Sequence, residues 1–200
     1  MKVVLCGPPH SGKSCLKFAL KEAIKAVNKS LYPYVITACP DGEGSWFHEA
    51  AAEDINLAAE LKAANKGKFT EELVKVMGEW VSNCSEPLVL VDIGGIPDSL
   101  NEHICTDASH AILIADNLDY LQEWRVFCEK LKLQIIAELH SDYHGTEDKN
   151  FILGNDNIYR GSIYRLERGD LSVQDRPTVK ELASILMRMV TVEEQEYVHL

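Results

Sequence analysis

The 200-residue sequence has six cysteines but no pair spaced as CxxC. Cys6, Cys15, Cys39, Cys84, Cys105 and Cys128 are scattered, several of them inside apolar runs such as VVLC and ITAC. Structural zinc sites need close ligand pairs, and disulfide scaffolds are small and cysteine-dense, so the pattern speaks against both. It reads as reduced thiols in a cytoplasmic protein. No stretch approaches the roughly 20 apolar residues that span a bilayer. The first apolar run stops at Gly7-Pro8-Pro9, too short for a signal-peptide core. Basic residues are also in deficit: 20 Lys plus Arg stand against 31 Asp plus Glu, a net charge of −11. Nonspecific nucleic-acid binding needs a broad basic surface, so none is expected, although one local phosphate pocket stays allowed. Internal repeats and low-complexity linkers are absent as well. What remains is an ordinary apolar content of 46%. The length predicts one domain, over residues 1–190, with a flexible tail at 191–200.

Val3-Val4-Leu5-Cys6 is continuously apolar, the pattern of a strand buried on both faces. After a glycine-bounded turn, Leu16, Leu20, Ala23, Ile24 and Val27 recur at helical spacing, and Asn28 and Ser30 mark the stop. A second strand is predicted at 35–39, ended by Pro40-Asp41-Gly42-Glu43-Gly44. Helices are predicted over 46–65 and from Thr70 onward. Thr70 caps the second, Glu71 and Glu72 complement its dipole, and Leu73, Val76, Met77, Trp80 and Val81 form its apolar face. Strands are predicted at 88–92, 111–115 and 134–137, a helix at 118–131, a polar loop at 141–157 and an edge strand at 162–166. A last helix, with Pro177 in its first turn, presents Val179, Leu182, Ile185, Leu186 and Met189. Strands alternating with helices predict an α/β domain: a mostly parallel sheet of five or six strands flanked by helices.

Gly7-Pro8-Pro9-His10-Ser11-Gly12-Lys13-Ser14 fits GxxxxGK[ST] at every fixed position, between a predicted strand and a predicted helix. Gly7 and Gly12 let backbone N–H groups curl around a β-phosphate, and the helix N-terminus adds partial positive charge. Lys13 is a point charge for β- and γ-phosphates, and the Ser14 hydroxyl is a ligand for Mg²⁺. The expected nucleotide-binding set is Gly7, His10, Ser11, Gly12, Lys13, Ser14 and Cys15, with His10 at a variable position of the motif. Asp92 ends the apolar strand 88–92, where a carboxylate holds a Mg²⁺-bound water. Ser14 and Asp92 are thus the expected metal residues. Asp41 and Glu43 follow the second strand, at the ligand edge of a parallel sheet. They join Lys13 and Asp92 as candidate catalytic residues, suited to positioning a water, with a solvated glycine-rich turn as the plainer alternative.

Asp92 is followed by Ile93-Gly94-Gly95 rather than by the glutamate of many ATPase motors. This DxxG pattern resembles the kinase and GTPase branch of P-loop proteins. The [NT]KxD element of GTP-binding proteins is missing, since Asp116-Asn117-Leu118-Asp119 does not fit it, so ATP is the default nucleotide. Arg160, Arg165 and Arg168 read as a solvated face paired with Glu167 and Asp170; an arginine at developing phosphate charge is the alternative. His140-Ser141-Asp142-Tyr143-His144 reads as a polar loop, with a metal site as the alternative.

Two family resemblances rest on these segments. The phosphate loop, with Asp92 and Gly94-Gly95-Ile96-Pro97, is similar to that of nucleoside monophosphate kinases such as adenylate kinase. Asp98, however, stands where those enzymes carry a phosphate-binding arginine, and no arginine-rich lid follows. The segments 9–14, 39–47, 91–95, 136–141 and 165–170 together resemble the P-loop ATPase domain associated with a CRISPR accessory ring-nuclease family. That resemblance implies a P-loop NTPase fold, a module that binds Mg-ATP, and a CRISPR accessory protein as partner. The ring-nuclease domain itself has no counterpart here, so cleavage of cyclic oligoadenylate is not implied.

Three functions are therefore open: an ATPase whose turnover drives a switch, a kinase acting on a nucleotide or small-molecule acceptor, and a nucleotide-binding regulatory module. The sequence leans slightly toward the first, because the loop at Asp41–Glu43 suits water positioning and the acceptor-binding arginine is missing. Self-association into a homo-oligomer is also open.

Overall fold

The computed structural model describes residues 1–39 and 70–198. Asp41, Glu43 and the helix predicted over 46–65 lie outside the described residues. The elements run β1 (Lys2–Cys6), α1 (Lys13–Val27), β2 (Tyr34–Thr37), α2 (Glu71–Asn83), β3 (Val89–Asp92), α3 (Ser99–Ile104), β4 (His110–Ala115), α4 (Leu118–Leu131), β5 (Gln134–Asp142), β6 (Lys149–Leu153), β7 (Tyr159–Tyr164), a 3₁₀ turn (Leu171–Asp175) and α5 (Pro177–Val198). Seven strands form one sheet in the order β2-β3-β1-β4-β5-β7-β6. All neighbours are parallel except β6, which pairs antiparallel with β7.

Period-two alternation along β1 divides the core. Val3 and Leu5 face a layer made with Leu16, Leu20 and Ile24 of α1 and Val179, Leu182 and Leu186 of α5. Val4 and Cys6 face the other layer, with Val74 and Val81 of α2, Ile104 of α3 and Trp124 and Phe127 of α4. Both faces of the central strands are therefore covered, which is why they read as continuous apolar runs. Two directions of winding diverge from β1. The chain goes to β2 by way of α1 on one side and to β4 and β5 on the other, so a crevice opens at the carboxyl end of β1.

Several expectations are corrected. The sheet has seven strands, not five or six. β6 lies inside the stretch read as loop 141–157: its apolar run, Phe151-Ile152-Leu153, is only three residues long, and a short edge strand takes its conformation from its neighbour. It also covers β7, which is therefore not the edge. β5 continues five residues past Ala137, to Asp142. The interruption in its apolar pattern is Glu138, which is buried and held by Arg125 at 2.6 and 2.7 Å and by Arg160 at 2.7 Å. Burial pushes the Glu138 carboxyl up, and the two guanidiniums more than reverse this, leaving it below the usual carboxylate value.

α2 is capped by Thr70, whose hydroxyl accepts from the Leu73 N–H at 3.3 Å. Its buried residues are Val74 and Val81, whereas Val76 and Trp80 are exposed, and Trp80 meets the Tyr34 ring edge-on at 6.3 Å. The expected face and the one that packs share Met77 and Val81, while Val74, outside the expected set, is buried. Val27, at the end of α1, is likewise exposed. α3 had no prediction; it is a short helix started by Asp98, whose carboxylate accepts from the Asn101 N–H at 2.9 Å. α5 runs on to Val198, through much of the stretch expected as a tail. All six cysteines are outside disulfides. Among the described residues no helix is long and apolar enough to cross a membrane.

Candidate functional site

The loop between β1 and α1 takes its shape from glycine. Gly12 is left-handed, at φ 92°, and it leads directly into α1 with no side-chain cap. A Cβ at Gly12 would stand 2.6 Å from Leu166 Cδ1, and one at Gly95 would stand 2.5 Å from the Pro9 backbone nitrogen. Two distant segments thus close on the loop through the absence of side chains. His10 also has positive φ, 64°, with its side chain exposed.

Lys13 begins α1 and turns back over the loop. Its Nζ donates to the Gly7 and Pro8 carbonyls at 2.7 and 2.8 Å. Burial pulls its pKa below that of an ordinary lysine, and the negative charge of Asp92 works against that pull. Ser14 Oγ donates to Asp92 Oδ2 at 2.9 Å. This contact joins the first turn of α1 to the end of β3 across the β1–β3 pairing, in which Leu5 stands opposite Asp92. Ser11 Oγ is buried and has no hydrogen-bond partner among the described residues. Burial raises the Cys15 thiol to about 11, so it stays protonated.

These groups open into one cavity of about 730 Å³, lined by His10, Ser11, Gly12, Lys13, Ser14, Cys15 and Asp92. Of the expected nucleotide-binding set, Gly7 alone is off the cavity wall; its buried carbonyl lies behind and holds Lys13. Cys39, the last described residue before Asp41 and Glu43, is also on the wall.

Two further walls were not assembled from sequence. The turn after β3 is held by Asn101, which is buried. Its Oδ1 accepts from the Gly94 N–H at 3.0 Å, and its Nδ2 donates to the Ile96 carbonyl at 2.7 Å. Gly95 lines the cavity, and its N–H makes no hydrogen bond among the described residues. The other wall is the segment 165–170, where Arg165 adopts φ 45° and Leu166 and Arg168 line the cavity. Arg176 secures this segment. Its guanidinium lies over the Tyr164 ring at 4.1 Å and donates to the Tyr164 carbonyl, to the Arg165 carbonyl at 3.1 Å and to Asp170 at 2.9 Å.

The late arginines therefore separate. Arg160 binds Glu138 and Asp156, Arg165 pairs with Glu167 at 3.2 Å, and Arg168 reaches the cavity wall. Tyr143 joins the wall as well, while no group of three or more His, Cys, Asp or Glu that could hold a metal ion occurs among the described residues, which include His140, Asp142 and His144.

Lys17 is the residue that sequence reasoning missed. It is buried on α1 and bonds Asp92 Oδ2 at 2.9 Å and Thr37 Oγ1 at 3.0 Å. The signal was a lysine on the stripe it shares with Leu20 and Ile24, where an apolar residue would be expected.

No protein-family model and no curated protein sequence matches the chain. Among solved structures it is similar to a Borrelia burgdorferi B31 protein described as a plasmid partition protein and bound to AMPPNP. The TM-score is 0.55 at 13% identity, over 96% of this chain and 98% of that one. At that identity the likeness speaks to architecture, and with the sheet order and the loop geometry it establishes that the chain has the α/β fold of P-loop NTPases.

Proposed function

We propose that the chain binds a Mg²⁺-bound nucleoside triphosphate, ATP by default, on residues 7–15 and hydrolyses it. The observation that carries this reading is the Ser14–Asp92 hydrogen bond, made beside the Lys13 ammonium on the wall of one cavity. A hydroxyl and a carboxylate side by side are hard oxygen donors, the set that Mg²⁺ takes together with retained waters. Ser14 and Asp92 would hold the ion, which would supply charge neutralisation at the phosphate oxygens. Lys13 would exchange its carbonyl partners for β- and γ-phosphate oxygens, drawing the terminal phosphate to the mouth of the loop. Ser11, the N–H groups of the first turn of α1 and the Gly95 N–H would complete the cradle. Arg168 and Tyr143, also on the cavity wall, would cover the nucleotide. Asp41 and Glu43, a few residues beyond Cys39, are proposed to position the attacking water. The partner implied by the CRISPR-accessory resemblance would be a separate protein that reads the nucleotide state.

The kinase reading is weakened by one observation. Asp98, at the position where nucleoside monophosphate kinases carry an arginine, is engaged as the cap of α3. Phosphate release from Mg-ATP without added acceptor is the expected result in a steady-state assay. Release or transfer only with an acceptor would establish the kinase. No turnover, with a melting temperature still raised by nucleotide, would establish the regulatory module.

A further inference from the structure

Asp92 is shared between two donors. Its Oδ2 accepts from Ser14 Oγ and from Lys17 Nζ, both at 2.9 Å, and the Lys17 and Asp92 side chains are each 1% exposed. Lysine is rarely buried this far, and taking two charges out of water costs as much as or more than their attraction returns. Packing alone would be met by leucine or methionine, since Lys17 lies on the stripe of Leu20 and Ile24. The ammonium also reaches Thr37 Oγ1, so it ties the ends of β2 and β3 beneath the phosphate loop.

Building on the proposed nucleotide site, we propose that Lys17 is the fixed counterion of Asp92 and sets how strongly nucleotide binding depends on Mg²⁺. Without Lys17, a buried carboxylate on the cavity wall faces an incoming triphosphate. Like charges at low dielectric repel strongly, and the metal is then needed to relieve them. With Lys17 in place, its ammonium balances the Asp92 carboxylate, and the Lys13 ammonium is left to meet the phosphates. Lys17 and the metal act on the same carboxylate. The ammonium therefore favours nucleotide without metal and reduces what the metal adds. Lys17 touches neither phosphate nor water in this scheme; it is a positioning and charge-balancing residue.

The test is the ATP dissociation constant, measured in excess EDTA and again in saturating Mg²⁺; the ratio of the two is the metal coupling. Lys17→Met is expected to raise that ratio by about tenfold or more, or ~1.4 kcal/mol, chiefly by weakening binding in EDTA. In an Asp92→Asn background, Lys17→Met should leave the ratio unchanged within about twofold, because the carboxylate that Lys17 contacts is gone. Lys17→Gln keeps a donor for Asp92 and Thr37 without the charge, and it carries the test if Lys17→Met does not fold. Equal weakening in both buffers, with an unchanged ratio, overturns the proposal. So does loss of cooperative melting in both neutral variants, which would assign Lys17 to the fold. Absence of ATP binding by the unaltered protein in either buffer defeats the nucleotide site itself, whereas binding with an unchanged ratio in the variants defeats only the role of Lys17.

Discussion

Replacing Lys13 with alanine is expected to weaken Mg-ATP binding by at least about 100-fold while the protein stays folded. Its ammonium is buried, held only by two loop carbonyls among the described residues, and placed where a triphosphate would offer better acceptors. On binding, the ammonium would trade two neutral carbonyl acceptors for charged phosphate oxygens; such charge-assisted bonds are roughly twice as strong, and a net gain of about 3 kcal/mol is about two decades in affinity. The fold should tolerate the change, because removing a cation that opposes the helix dipole at the start of α1 offsets part of the cost of leaving the Gly7 and Pro8 carbonyls without their donor. A calorimetric titration of the variant measures the loss, with a thermal melt as the folding control. An affinity within a few-fold of the unaltered protein would remove Lys13 from the site.

Gly7→Ala is expected to have the largest effect on stability. The β1–β4 register sets Cys6 opposite Leu113, which brings Gly7 beside Ile114. An added Cβ would lie 2.0 Å from the Ile114 carbonyl oxygen and 2.9 Å from Ser11 Oγ. The first of these is backbone of a buried strand held between β1 and β5, so it cannot swing aside. The loop must move instead, taking Ser11 and the Gly7 carbonyl that holds Lys13 with it. Overpacking of this kind costs roughly 3 kcal/mol, which for a chain of this size lowers the melting temperature by about 6–12 °C. Nucleotide affinity should fall in the same variant. A melting temperature within about 2 °C of the unaltered protein would contradict the close approach of loop and β4.

The parts of this molecule that were legible in the sequence are those whose cause is local. The phosphate loop is one, because glycine, lysine and serine at fixed spacing between a strand and a helix require only neighbours in the chain. The buried strands are another: Val3-Val4-Leu5-Cys6 and Leu88-Val89-Leu90-Val91 read as apolar on both faces because both faces are covered. What was not legible depends on residues far apart. Glu138 breaks the apolar pattern of β5 and is explained only by Arg125 and Arg160. β6 exists because β7 offers an edge. Leu166, Arg168 and Tyr143 reach the cavity because the sheet carries the ends of β5 and β7 to the same side as β1. Lys17 looked like one polar residue on an amphipathic helix, and its partner Asp92 lies 75 residues on. The part of the candidate site carried by Asp41 and Glu43 lies outside the described residues and stays a proposal from sequence.

The most direct test is a calorimetric titration of the unaltered protein with ATP in saturating Mg²⁺. Saturable one-to-one binding in the range of about 1 μM or tighter, near −8 kcal/mol, competed by AMPPNP and lost in Lys13→Ala, is the predicted result. No saturable binding up to millimolar ATP would contradict the assignment of this cavity to a nucleoside triphosphate.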